Sequence, residues 1–477
     1  MAQRLPRACC FDWFRIVFVA ICALCAPLAN AQSAPGLSPA TRSKIDSTAQ
    51  NVLHTTGVPS ASIAIVKDGQ IAYLQAYGEA QLDPPTPAKP SMRYSIGSIS
   101  KQFTATAVLM LVDQGKLSLD DPVSKFLPNL TRASEITIRE ILSHTSGYQD
   151  YWPQDYVPPF MTHPISADEI LKLWAQKPLD FDPGTKWEYS NTNYVIAGLI
   201  VEKVSGQPLL QFLSQRIFVP LGMNSVVNID QDRLTETDAT GYMRYALGPL
   251  RVAPKEGKGW LFAAGELAMP AEDLAKWDVG MLDQRLLKPG TYREMQTAVR
   301  LADGVGSKYG LGVFVDRSSG HRFIEHGGEV SGFSAENIVF PDDRAAIVVL
   351  TNQDSTSAPS DIGRQIAKLL FVVDDAESEK QRQQARQILE DLQHGKIDRS
   401  LFTDNANSYF SDEAIKDFSS SLTPLGAVRE LTLQSSGHRG GMAFRRYTAQ
   451  FATKAVELSI YAMPDGKIEQ YEVIVPN

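Results

Sequence analysis

The residues with the clearest chemical potential are a serine and a lysine three positions apart, Ser98 and Lys101. Residues with this spacing share one face of a helix, so the lysine can reach the serine hydroxyl. The next residues, FTATAVLMLVDQGK, are apolar on nearly every face and predict a buried helix. Burial lowers the pKa of a lysine towards that of a general base, and a helix N-terminus supplies N–H groups for an oxyanion. The alternative is that Ser98 or Ser100 only caps the helix while Lys101 reaches solvent.

Two further motifs are ordinary when taken singly. YSN at residues 189–191 follows a Pro-Gly turn, and HGG at residues 326–328 ends a strand pattern. In the order S-x-x-K, Y-x-N, H-x-G, the three motifs resemble those of the serine β-lactamase and penicillin-binding-protein superfamily. The order and spacing are most similar to its branch of class C β-lactamases and D-Ala-D-Ala carboxypeptidases, which also contains esterases and D-aminopeptidases. The resemblance covers about residues 43–372 and includes ILSHTSGY, YGLGV and GFSAENIVFPDDRAAIVVLTN.

The resemblance implies roles for three catalytic residues. Ser98 would be the acylated nucleophile, and Lys101 would be the base that activates it. Tyr189 would pass a proton to the leaving group and help to activate the water that releases the acyl group. The implied class is a serine hydrolase of the esterase, carboxypeptidase or D-aminopeptidase type.

The resemblance also places four residues around the substrate: Asn191, His326, Gly328 and Glu329. Asn191 would bond Lys101 or the substrate amide. The oxyanion hole would consist of the backbone N–H groups of Ser98 and Glu329. His326 stands where the superfamily usually has a lysine, and a neutral imidazole anchors a substrate carboxylate less firmly. We therefore expect weak β-lactamase activity.

The N-terminus has the pattern of an export signal. Three arginines precede an apolar run over residues 16–28 that ends in Ala-Asn-Ala, so residues 1–31 are predicted to be a signal peptide. The run is shorter than the roughly 20 residues that span a bilayer, which favours cleavage over an uncleaved anchor. All four cysteines lie in this segment, so the mature chain would have no disulfide and no cysteine metal site. We expect an exported bacterial protein, periplasmic or secreted, without stable membrane insertion.

The mature chain is predicted to have an α+β fold in two domains. Residues 32–373 would form the β-lactamase-like domain, in which SIAIVKDGQIAYLQAYG, HRFIEHGG, FSAENIVF and AAIVVLTNQ supply an antiparallel five-stranded sheet. Helices would flank the sheet, and a helical subdomain would be inserted between its two strand groups. Residues 374–477 predict a small α+β domain, with a helix near residues 385–392 and strands near 443–451, 455–462 and 468–474. This part resembles cystatin-like or NTF2-like folds and could form a dimer.

Composition argues against several other functions. The formal net charge is -8 and no basic field is present, so we expect no nucleic-acid partner. No H-E-x-x-H or G-x-S-x-G motif is present, which argues against a metal site and an α/β-hydrolase, and no cofactor is predicted. His144 is expected to be structural. The favoured function is an exported hydrolase of an ester or amide, such as a D-amino-acid peptide or small ester. The alternatives are a catalytically silent binding protein for cell-wall fragments and a scaffold that recruits partners through its C-terminal domain.

Overall fold

The computed structural model describes residues 36–154, 156–318, 320–371 and 376–474. The expected signal peptide and all four cysteines lie outside these residues. Within them, no helix is long and apolar enough to cross a bilayer.

The strands of the main sheet come from two groups, within residues 60–87 and 314–351, separated by a long, mainly helical segment, and four further strands follow among the described C-terminal residues. In chain order the strands are β1 (Ser60–Lys67), β2 (Gln70–Leu82), β3 (Pro85–Pro87), β4 (Tyr94–Ser95), β5 (Val227–Asn228), β6 (Tyr242–Met243), β7 (Arg251–Val252), β8 (Leu267–Met269), β9 (Phe314–Ser318), β10 (His321–Val330), β11 (Phe333–Phe340), β12 (Ala345–Thr351), β13 (Glu430–Arg439), β14 (Met442–Gln450), β15 (Ala455–Ala462) and β16 (Ile468–Ile474).

The α-helices lie before, between and after these strand groups. They are α1 (Pro39–Thr56), α2 (Ser100–Asp113), α3 (Ile138–Leu142), α4 (Ala167–Ile170), α5 (Asn191–Ser205), α6 (Leu209–Leu213), α7 (Val219–Leu221), α8 (Ala271–Leu282), α9 (Pro289–Met295), α10 (Ala358–Leu370), α11 (Ala376–Gln393), α12 (Asp404–Tyr409) and α13 (Asp412–Leu422). The helices α2–α9 form the insertion that the sequence predicts.

The main sheet of the described chain has seven antiparallel strands, not the expected five, in the order β3-β2-β1-β12-β11-β10-β9. Both additional strands lie at an edge. β3 contains two prolines, which a sheet accepts at its edge and which make a strand hard to recognise. β9 is largely exposed and lacks buried alternation. The α+β class and the sheet built from both chain ends are confirmed, whereas the strand count was wrong.

Two hydrophobic cores cover the faces of this sheet. α1 and α10 pack on one face in a core that includes Ile63 and Ile362. α2 and α8 belong to the core on the other face, which includes Ala64 and Phe103. Successive residues of β1 thus enter different cores, which explains why its segment IAIV is apolar throughout instead of alternating with polar residues.

The C-terminal part is a small α+β structure with its own core. β13-β14-β15-β16 form an antiparallel sheet, and α11, α12 and α13 precede it in the chain. A separate hydrophobic cluster contains only residues between Ala385 and Tyr471. The first strand, β13, was not expected from the sequence. The domain boundary at residues 373 and 374 remains a prediction.

Candidate active site

Ser98 and Lys101 lie at the entry to helix α2. Ser98 is the middle residue of a 3₁₀ turn over Gly97–Ile99, which runs directly into α2. Lys101 is fully buried, and its Nζ lies 2.9 Å from Ser98 Oγ. Ser98 itself is half-buried and lines a cleft. The lysine therefore contacts the serine and does not reach solvent.

The side-chain nitrogen of Lys101 has two further polar contacts. Its Nζ lies 2.8 Å from Asn191 Oδ1 and 2.8 Å from the backbone oxygen of Ala264. Both oxygens only accept hydrogen bonds, so they take the two N–H groups of a neutral amine. The remaining lone pair then faces the Ser98 hydroxyl. This arrangement is suited to a base that takes the serine proton.

Burial lowers the pKa of Lys101 to about 7, and Asp150 opposes the fall by attracting the charged form. Asp150 also sets the orientation of the Asn191 amide. Its Oδ1 accepts hydrogen bonds from the Asn191 backbone N at 2.9 Å and from Nδ2 at 3.2 Å. Asn191 therefore presents its oxygen, and not its amide nitrogen, to Lys101. No sequence motif pointed to Asp150, which is 41 residues distant from Asn191.

Tyr189 completes the group around the serine. Its ring centroid lies 5.0 Å from Lys101 Nζ, and burial raises the pKa of Tyr189 well above its usual value, while the Ser98 side chain opposes the rise. Its ring lies beside that of His144, with centroids 4.3 Å apart. A phenol with a raised pKa is protonated at neutral pH, which agrees with the expected roles of Tyr189 as a proton donor and Lys101 as the base. His144 Nδ1 accepts the backbone N–H of Ser190, which fits the expected structural role.

His326 is buried, and both of its ring nitrogens have partners. Nδ1 lies 2.6 Å from the Gly327 carbonyl oxygen, and Nε2 lies 2.9 Å from the Tyr309 hydroxyl. A carbonyl only accepts, so Nδ1 carries the proton and Nε2 accepts from Tyr309. Burial, reinforced by Lys101, lowers the pKa of His326 to about 3. The imidazole is neutral, and its role as a substrate anchor remains a prediction.

Two glycines let the segment before Ser98 cross strand β10 closely. Gly97 has φ +50°, and a Cβ there would lie 2.6 Å from the backbone N of Glu329. A Cβ on Gly328 would lie 1.9 Å from the Ile96 carbonyl oxygen. Neither position accepts a side chain without a backbone shift. The crossing brings Ser98 and Glu329, whose N–H groups the resemblance assigns to an oxyanion hole, to the same cleft.

The site opens into a cleft of about 880 Å³, a size typical of small-molecule sites. Lys101 lies behind Ser98 and is not part of the lining. The lining includes the other expected site residues and several aromatic side chains: Ser98, Tyr189, Asn191, His326, Gly328 and Glu329, with Trp152, Tyr156, Tyr245 and Phe314. The sequence motifs therefore converge on one concave surface.

The cleft lining contains more carboxyl groups than basic groups. Over the described residues, its carboxyl groups are those of Asp150, Glu188, Glu329, Glu336 and Asp354. Its guanidinium group belongs to Arg244, which donates to the Gly57 carbonyl and to Gln353. A cleft with this balance attracts cations and repels anions.

Comparison with known proteins agrees with this geometry. The profile of the Beta-lactamase family matches residues 45–370, which is more than half of the chain. The chain therefore belongs to the Beta-lactamase family. Its resemblance to the superfamily of β-lactamases and penicillin-binding proteins is confirmed.

Individual relatives share the same region. Protein flp of Staphylococcus aureus is 29% identical over 66% of this chain, and the match spans 64% of that protein, less than two thirds of its length. A D-stereospecific amidohydrolase from Streptomyces sp. is 29% identical, with 68% of this chain and 98% of that chain covered and a TM-score of 0.59. An octameric penicillin-binding protein homologue from Pyrococcus abyssi is 22% identical, covers 91% of this chain and 99% of its own, and has a TM-score of 0.62. At 22% identity, the similarity to the Pyrococcus abyssi protein shows a shared fold and no more.

Proposed function

We propose that this protein is a serine hydrolase that acts through an acyl-enzyme on amides or esters of D-amino acids with a free amino group. The observation that carries the proposal is the contact of buried Lys101 with Ser98 Oγ, Asn191 Oδ1 and the Ala264 oxygen. A surface lysine or a capping serine has no need of this arrangement. Similarity to a D-stereospecific amidohydrolase supports the substrate class.

Acylation begins with transfer of the Ser98 proton to neutral Lys101 as Oγ bonds to the substrate carbonyl carbon. The carbonyl oxygen becomes an oxyanion and accepts hydrogen bonds from the backbone N–H groups of Ser98 and Glu329. Tyr189, which lines the cleft with Ser98, donates its proton to the leaving amine as the carbon–nitrogen bond breaks. Lys101 returns its extra proton to Tyr189. The products are the free amine and an ester on Ser98.

Deacylation uses the same groups in the same roles, with water as the nucleophile and Ser98 Oγ as the leaving group. A water molecule loses a proton to Lys101 as its oxygen attacks the ester carbon, and the oxyanion again lies between the two N–H groups. Ser98 Oγ leaves and is reprotonated through Tyr189. Lys101 ends as the neutral amine, so the cycle closes without a net change in the protein.

The charges of the cleft support a preference for amino groups over carboxylates. Neutral His326 supplies no permanent cation, and Arg244 already donates to Gly57 and Gln353. Carboxyl groups of Glu188, Glu329 and other lining residues attract an ammonium group. We therefore expect slow reaction with β-lactams and with peptides that end in a carboxylate.

The test is a substrate panel on the purified mature chain. It contains D- and L-phenylalaninamide, an acetyl ester, a D-Ala-D-Ala peptide and a chromogenic cephalosporin. We expect turnover of the D-amide and the ester and stoichiometric labelling of Ser98 by a fluorophosphonate. Failure to label Ser98, with no turnover of any substrate, would favour the silent binding protein instead.

We also propose that the protein is exported. The support is the charged, apolar and small-residue pattern of residues 1–31. Intact mass of the protein from the periplasm or medium of a bacterial host should correspond to a chain that begins at Gln32. A full-length chain recovered only from the cytoplasm would contradict export.

Self-association through the C-terminal sheet is a further part of the proposal. Phe444 and Tyr461 are register partners whose rings lie 5.0 Å apart, on the face opposite to buried Tyr447 and Leu458. The similar protein from Pyrococcus abyssi is octameric. Light scattering of the full chain should give a mass above that of the monomer, and Phe444→Asp should lower it. A monomeric wild type would refute this part.

A further inference from the structure

The cleft continues past the end of β10 onto the face of the main sheet that packs against α10. Its lining there, which we call the outer arm, consists of Gly327, Ser334, Glu336, Pro359 and Ser360. Gly327 and Glu336 are register partners on β10 and β11. Side chains alternate along a strand, so Ser334 and Glu336 point to the same face. Nothing in the catalytic steps uses this region.

The floor of the outer arm is open. A Cβ on Gly327 would have the Ala335 carbonyl oxygen, 3.8 Å away, as its nearest neighbour. The next residue differs sharply, because a Cβ on Gly328 would collide with the Ile96 oxygen at 1.9 Å. Packing therefore requires glycine at Gly328 but not at Gly327. The space above Gly327 is available to a ligand.

Two polar side chains in the outer arm lack side-chain partners. Glu336 is 9% exposed, and among the described residues no side chain donates a hydrogen bond to its carboxyl group. Burial raises the pKa of the Glu336 carboxyl group to about 8, and the nearby Glu325 adds to this rise. The backbone N–H of Asn337 opposes it by favouring the charged form of Glu336. Ser334 is 4% exposed, and its hydroxyl has no hydrogen-bond partner in the described chain.

A buried carboxyl group without a partner costs free energy, which a bound cation or donor would offset. Arg364 attracts Glu336 only from a distance and does not bond it. Other lining carboxyl groups, including Glu329 and Asp354, add negative potential along the same cleft. The expected partner is therefore a cation small enough to enter beside Gly327.

We propose that the outer arm binds a primary ammonium group of the substrate, held by the Glu336 carboxylate above Gly327 with the Ser334 hydroxyl beside it. The proposal rests on the proposed function, because it specifies which substrates that active site accepts. The ammonium group can come from the α-amino group or from an amine on the side chain. These two sources share one chemistry, and substrate pairs distinguish them.

The test measures binding to Ser98→Ala, which cannot turn over substrate, by calorimetry at pH 7. D-Lysinamide against D-norleucinamide tests a side-chain ammonium group, and D-phenylalaninamide against 3-phenylpropanamide tests the α-ammonium group. When Glu336→Gln is combined with Ser98→Ala, the preference for the ammonium-bearing probe should fall by about 5-fold or more in one of the two pairs. The reason is that a hydrogen bond between two charged groups is stronger than one between neutral groups. Gly327→Val, which fills the open space, should lower the preference in the same way. Asp342→Asn is the matched control, because it removes one exposed carboxylate beyond the end of β11 and outside the lining, and it should change the preference less than about 2-fold.

Proton release provides a second measurement. At pH 7 the free Glu336 is mainly protonated, so pairing with an ammonium group should release close to one proton, measured in buffers of different ionisation enthalpy. The release should disappear in Glu336→Gln. Unchanged preferences for both pairs, or no binding of either ammonium-bearing probe, would overturn the proposal. If selective binding persists but wild type hydrolyses nothing, the proposed function fails and the ammonium site stands.

Discussion

Removing the charge of Asp150 should move the pH profile of the enzyme to lower pH. Lys101 must be neutral to take the Ser98 proton, so kcat/KM should rise with pH through the Lys101 pKa of about 7. Asp150 favours the charged form of Lys101 and thereby raises its pKa. In Asp150→Asn this attraction is lost, and the neutral base becomes available at lower pH.

The size of the shift follows from the geometry. Lys101 Nζ is 2.8 Å from Asn191 Oδ1, and Asn191 Nδ2 is 3.2 Å from Asp150 Oδ1. Two charges about 7 Å apart at an effective dielectric constant of about 20 interact by about 2 kcal/mol, which moves the midpoint by about 1.5 pH units. The backbone N and Nδ2 of Asn191 both bond Oδ1, which the substituted amide retains, and only the longer contact of Nδ2 with Oδ2 at 3.3 Å is lost. The variant should therefore stay folded.

The assay is kcat/KM for D-phenylalaninamide or the acetyl ester between about pH 5 and 9, a range that brackets the pKa of Lys101. Thermal unfolding should accompany it to check the fold. Glu188→Gln is the matched control, because it removes an exposed carboxylate of the same cleft and should move the acidic limb by less than about 0.3 pH units. An acidic limb that stays in place or moves to higher pH in Asp150→Asn would refute the assignment of Lys101 as the base.

Three other substitutions test the remaining parts of the site. Ser98→Ala should abolish fluorophosphonate labelling and turnover while the melting temperature stays near that of wild type; retained turnover would place the nucleophile elsewhere. Tyr189→Phe should lower kcat by about 10²-fold with little change in stability, and a lower melting temperature at an unchanged rate would indicate packing alone. His326→Lys should shift kcat/KM towards carboxylate-bearing substrates by roughly 5- to 150-fold. In wild type the same ratio should stay flat between about pH 5 and 8, because the His326 pKa of about 3 keeps the imidazole neutral there. A step in the ratio near pH 6.5 would contradict a buried imidazole whose two nitrogens are both hydrogen-bonded.

The pKa of His326 is a property that the sequence alone could not predict. An imidazole in water titrates near 6.5, and the sequence alone offers no reason to expect otherwise. Burial beside Lys101 lowers the pKa of His326, and Tyr309 occupies its second nitrogen. Tyr309 belongs to the YGLGV segment, 17 residues before the histidine, and no local pattern connects the two.

The sequence by itself determined the elements that depend on neighbours along the chain. The spacing of Ser98 and Lys101 follows from helix geometry, and the apolar residues of α2 require burial of that helix. Apolar periodicity likewise identified the central strands β1, β11 and β12 of the main sheet. These features can be recognised locally, because the backbone period of a helix or a strand sets which nearby residues share a face, although strand pairing itself joins distant residues such as Ala61 and Thr351.

Tertiary structure alone decided the properties that depend on residues far apart in the chain. The Ala264 carbonyl and Asp150 reach the lysine site from loops 163 and 41 residues distant from their partners. Glu336 lines the cleft only because β11 pairs with β10 and α10 covers that face. The pKa of a side chain depends on the solvent that folding removes and on the charges that folding brings near. The sequence therefore predicted a candidate nucleophile and base, Ser98 and Lys101, whereas the fold determined the proton affinity of Lys101 and the charge of the cleft.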